Sequence, residues 1–182
     1  MQVADRNREA RTTVVLAVAC LVLQLALAPN LALGNGRANF ALVFAACVAL
    51  TKGGQRAVIS GFVAGLVFDL STTGPVGLMA FCLTVASYLM GLGARDRMTG
   101  DLASSATTFA VAALGVSLVY HLAMLLVGQA DSLIDVIVFR TAPTALLTFV
   151  AFLPFAYYFS RVRPSGGSGL GGRSGRLSGK GL

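Results

Sequence analysis

Asp69 invites a chemical reading first, because it is an acid that closes an otherwise uncharged apolar run, Ala57 to Phe68. A carboxylate costs about 2.5 to 3.5 kcal/mol at the centre of a membrane helix and less toward its ends, so one kept here implies a partner, a cavity or a water-exposed edge. Intramembrane aspartyl chemistry requires Gly-x-Gly-Asp and a second membrane aspartate. Here Gly65-Leu66-Val67-Phe68 precede Asp69, and no other apolar run contains an acid. A membrane serine protease of the Gly-x-Ser-Gly type is excluded in the same way, since Val58 stands where the first glycine belongs before Ser60-Gly61. The single histidine, His121, is read as a hydrogen-bonded packing residue rather than a proton relay. Cys20, Cys47 and Cys82 lie in separate apolar runs without CxxC spacing or nearby histidines, which is the pattern of buried thiols. No catalytic residue, cofactor or metal site is expected.

The spacing around Asp69 is more informative than its charge. Ala57, Gly61, Gly65 and Asp69 fall four apart and form one small-residue stripe on a helix, where another helix can approach closely. Ala41, Ala45 and Ala49 offer a matching stripe on the preceding run, so packing within the chain is preferred to packing on a foreign helix. Gly74, Pro75 and Gly77 then predict a turn. From Ala57 to Asp69 the helix covers about 18 to 20 Å against a hydrocarbon core of about 30 Å, which predicts an outer end below the membrane surface. Arg140 is the one cation inside an apolar run and is expected at a similar depth. Two arrangements stay open: an Asp69–Arg140 ion pair, or Arg140 reaching the interface while Asp69 faces the turn.

The elements that hold these residues follow from composition. Of 182 residues 56% are hydrophobic and only 12% charged, which excludes an ordinary soluble domain and predicts a polytopic membrane protein. Charge-free runs cover 12–36, 38–51, 57–68, 70–94 and 102–130, and a sixth, 136–160, contains Arg140. They read as six helices, the second and third short, in an all-α transmembrane bundle. Arg6, Arg8, Arg11, Lys52, Arg56, Arg95, Arg97, Arg161, Arg163, Arg173, Arg176 and Lys180 then share one face, which predicts that both termini are cytoplasmic. The net charge of +7 is thus a topology signal rather than a nucleic-acid footprint. Ala26-Leu27-Ala28 imitates a signal cleavage site, but the apolar run is long and Pro29 follows directly, so the first helix is expected to stay.

The domain expectation is a cytoplasmic segment over 1–11, a membrane domain over 12–163 and a disordered basic tail over 164–182. Gly175 to Lys180 superficially resembles a phosphate loop, yet Ser174 and Gly181 occupy the wrong positions and no helix follows. Basic residues in the tail predict at most an auxiliary contact with the lipid bilayer.

The run Gly61-Phe62, Gly65-Leu66, Asp69-Leu70, followed by Gly74-Pro75 and Gly77-Leu78-Met79-Ala80, resembles the MreD family of bacterial rod shape-determining membrane proteins. The specific likeness covers about 40–92; the remaining helices agree in hydropathy and placement. The resemblance implies an inner-membrane, multi-pass, non-enzymatic scaffold of the cell-elongation complex. Its implied partners are the single-span protein MreC and, through the complex, MreB, RodA and a penicillin-binding transpeptidase of peptidoglycan synthesis. Gly61, Gly65, Asp69, Gly74 and Gly77 carry over as motif residues, without a chemical role. A substrate-binding subunit of an energy-coupling-factor vitamin transporter is similar in helix number and size. That alternative calls for converging polar and aromatic residues, and the chain has no Trp and one His.

Overall fold

A computed structural model describes residues 2–30, 32–33, 36–96, 102–128 and 132–162. Six α-helices organise them: α1 (Gln2–Ala26), α2 (Phe40–Lys52), α3 (Gly54–Ser71), α4 (Leu78–Asp96), α5 (Leu102–Leu126) and α6 (Ala142–Val162). A π-helical segment, Asp135–Thr141, leads directly into α6. Between α1 and α2 a two-residue antiparallel ladder, β1 (Ala32–Leu33) with β2 (Gly36–Arg37), adds a small β element to the all-α expectation. The tail 164–182 and its basic residues, like Arg97 and Arg163, lie outside the described residues, as does the Gly34-Asn35 part of the first turn.

The hub of the bundle is α2. Every residue from Phe40 to Ala49 is buried, the pattern of a helix that is apolar all round and surrounded by others. It packs against α1, α3, α4, α5 and α6, and its alanines 41, 45, 46 and 49 keep those approaches short. Polar contacts fix its first turn. Asn39 Oδ1 accepts from the Leu42 N–H at 3.0 Å, closing one of the open donors at the helix start. The Asn39 N–H donates to Thr148 Oγ1 of α6 at 3.0 Å, and the Phe40 N–H donates to Gln24 Oε1 of α1 at 2.8 Å. A buried backbone end is thereby tied to two neighbouring helices.

Several boundaries differ from those implied by the apolar runs: α1 ends at Ala26 rather than at 36, and α4 starts at Leu78 rather than at 70. The first helix begins at Gln2, well before Thr12, because the polar N-terminal residues continue the helix. The third is also longer than its apolar part: Gln55 and Arg56 at one end and Leu70 and Ser71 at the other are helical. Its 18 residues extend about 27 Å at about 1.5 Å per residue, close to the hydrocarbon thickness rather than well short of it. Charge ends an apolar run without ending a helix. Among the described residues two helical stretches, 103–126 and 135–158, are long and apolar enough to cross a membrane, while 10–26, 40–52 and 78–92 are apolar but shorter.

Candidate functional site

The most extensive helix pair is α3 with α4, and the stripe of α3 faces it. Ala57 is fully buried beside Gly91. A β-carbon added at Gly61 would fall 2.7 Å from the Leu83 carbonyl oxygen and against Ser87, and one at Gly65 would fall 2.6 Å from the Ala80 nitrogen. Real side chains cannot occupy such positions without moving the backbone, so both glycines are there to let α4 lie directly on α3. This corrects the expectation that the stripe meets Ala41, Ala45 and Ala49. Small residues occur on both candidate faces, and those that the stripe meets are Ala80, Ser87 and Gly91 of α4.

Asp69 is 1% exposed and ends the stripe. Its Oδ2 accepts from the N–H groups of Gly77, at 2.8 Å, and Ala80, at 3.1 Å; its Oδ1 accepts from the Met79 N–H at 3.1 Å. These are the otherwise unpaired donors at the start of α4, where the helix dipole also favours a negative charge. The carboxylate therefore caps α4 from a different helix, which explains why an acid is retained among apolar residues. Its three neighbours come from the turn that the sequence predicts. Gly77 sits at φ +99°, a conformation that other residues rarely adopt, and the Phe81 N–H donates back to its carbonyl at 2.9 Å. Gly74 lies against Tyr120 of α5, whose hydroxyl would be 2.7 Å from a β-carbon there, and Tyr120 packs edge-on against Phe68. The Leu78 N–H donates to the Pro75 carbonyl at 3.4 Å, closing the turn.

Arg140 is placed elsewhere. Its Nε donates to Asp135 Oδ2 at 2.9 Å, five residues back, a spacing that suits the wider π-helical turn carrying both. Asp69 and Arg140 form no ion pair among the described residues. Asp69 instead meets backbone donors, and Arg140 meets an acid within its own segment.

Other chemical candidates remain local. The Ser60 hydroxyl donates to the Arg56 carbonyl at 2.8 Å within its own helix, and His121 Nδ1 lies 2.8 Å from the Ser117 carbonyl and 3.4 Å from Thr141 Oγ1 of the π-helical segment, as a hydrogen-bonded packing residue does. Among the described residues no three His, Cys, Asp or Glu side chains group to hold a metal. Sequence reasoning missed Asn39 and Met79. Asn39 Nδ2 lies 3.6 Å from Met79 Sδ, and the Met79 N–H meets Asp69, so the caps of α2 and α4 adjoin. An asparagine directly before an apolar run is a helix-start signal that identifies the first of them.

A groove of about 640 Å³ lies between α1, α2 and α3 and runs along α3 from Arg56 to Phe68. Its lining is almost wholly apolar, with Lys52 and Arg56 at one end. A vitamin site would instead draw polar groups together around its ligand. The family model described as rod shape-determining protein MreD matches residues 8–161. No curated protein and no solved structure matches the chain.

Proposed function

The chain belongs to the MreD family of rod shape-determining membrane proteins, and from that premise we propose that it is a non-catalytic, six-span scaffold of the bacterial elongation complex. The carrying observation is the family match over 8–161, which takes in the whole of α2 through α5 and most of α1 and α6. The charge pattern supports an inner-membrane orientation with both termini cytoplasmic and the turns at Asn30 and Ser132 outside. The Asp69 cap supports a structural role for the motif, because all three of its hydrogen bonds go to backbone donors and serve to join two helices.

In this reading the α3–α4 hairpin is a rigid plate built on α2. It gives a single-span MreC-like protein a fixed surface and, through it, helps organise peptidoglycan synthesis. Co-expression with an MreC-like partner followed by affinity purification in mild detergent tests the pairing. A stoichiometric complex that withstands washing is expected; a chain that purifies alone under conditions that preserve its helices contradicts it.

A further inference from the structure

The groove between α1, α2 and α3 has a shape and a charge distribution that the scaffold reading does not use. Both α1 and α3 pack on α2 but leave a gap between themselves, so α2 forms a floor, with Phe44 and Val48, between walls that include Val18 and Val63. The two walls are half exposed at those valines. From Arg56 to Phe68 the groove follows α3 for about 18 Å at about 1.5 Å per residue, close to the depth of one leaflet of a hydrocarbon core about 30 Å thick. Its cationic end is compact. Lys52 closes α2, Arg56 lies in the first turns of α3, and the Lys52 ammonium hydrogen-bonds Thr13 Oγ1 across the groove.

We propose that this groove binds one anionic glycerophospholipid, its phosphate held by Lys52 and Arg56 and an acyl chain lying over Phe44 and Val48 toward Phe68. An ammonium has three donors and a guanidinium presents five in a fork that matches phosphate, so each can add a headgroup oxygen to the contacts that it already makes within the chain. Charge at one end and hydrocarbon along the rest is the polarity of a lipid in one leaflet.

The inference takes from the proposed function only that the chain lies in a membrane. Binding in detergent depends neither on orientation nor on a role in cell shape, so its failure and the failure of the scaffold reading are separate results. The test is native mass spectrometry of the full chain in mild non-ionic detergent, titrated with phosphatidylglycerol or with phosphatidylcholine of the same acyl chains. One phosphatidylglycerol should be held in preference. Each lost cation should weaken it about fivefold, the equivalent of about 1 kcal/mol per basic residue, so Lys52→Gln with Arg56→Gln should weaken it about 25-fold and weaken phosphatidylcholine, whose phosphate is balanced by its own choline, much less. The exchange Lys52→Arg with Arg56→Lys should keep the preference, which separates charge from folding. Val63→Trp, filling the groove, should weaken both lipids, and Arg37→Gln, outside it, should weaken neither. Equal affinity for the two lipids, or full phosphatidylglycerol retention in the doubly neutralised variant, overturns the proposal. So does a photocrosslinker at position 63 that captures a protein span in place of lipid.

Discussion

Ala80 meets α3 twice: its N–H donates to Asp69 Oδ2 at 3.1 Å, and its nitrogen lies 2.6 Å from where a β-carbon on Gly65 would stand. The cap and the close approach are therefore one device. The glycine brings α4 near enough for the carboxylate to reach its first donors, and the carboxylate fixes the register in which the glycine is needed.

Removing the cap should loosen the hairpin. In Asp69→Ala the Gly77, Met79 and Ala80 N–H groups lose their acceptor, and a buried unsatisfied group costs about 1 to 3 kcal/mol. Part of that is relieved by relaxation, so a loss on the order of 2 to 4 kcal/mol is expected. Asp69→Asn, which keeps one oxygen, should fall between. Thermal melting followed by circular dichroism in detergent should give the order parent, Asn, Ala; an Ala variant as stable as the parent contradicts the cap.

Bulk on the stripe should act on the same contact. Gly61→Leu and Gly65→Leu should each cost about 1 to 3 kcal/mol by overpacking and lower accumulation in the membrane. Gly65→Ala should also destabilise, because its β-carbon alone collides with the α4 backbone. Val63→Leu, half exposed and off the stripe, should be tolerated. Equal tolerance at all three positions would contradict the packing account.

The helices were legible in the apolar runs, because burial and membrane contact both require hydrocarbon side chains. The partner of the stripe was not. Ala41, Ala45 and Ala49 have the right size and spacing, yet the glycines meet Ala80, Leu83 and Ser87 of α4, and α2 and α4 are both joined to α3 by reversals that spacing alone does not rank. That Asp69 faces the turn was one of two open readings; what it does there was not legible. Its partners are backbone N–H groups, which every residue but proline carries, so no side-chain pattern advertises them. An Asp69–Arg140 pair was one of two open arrangements, suggested by counting charges by depth, whereas the π-helical turn supplies Asp135 five residues away.

Charge exchange separates these pairings. Asp69→Arg with Arg140→Asp should show no rescue over the worse single variant, since the two side chains act in different places and their effects should add. Asp135→Arg with Arg140→Asp should recover much of what Arg140→Ala or Asp135→Ala loses, measured as folded protein recovered from membranes. Rescue in the first exchange and none in the second would reverse the assignment.

Orientation is tested with impermeant thiol labelling in intact cells after Cys20, Cys47 and Cys82 are replaced. A cysteine at Gln55, just past the reversal made by Gly53 and Gly54 at φ +56° and +58°, should be protected, and one at exposed Ser132 should react. The opposite pattern would invert the bundle.

The most direct measurement of the scaffold account is depletion of the chain in a rod-shaped host, with cell width and growth requirement followed together. The account predicts rounded, widened cells and a dispersed elongation complex, restored by the parent chain but poorly by Gly65→Leu, with no new nutrient requirement. Cells that stay rod-shaped on depletion, or that need a vitamin to grow, would contradict it.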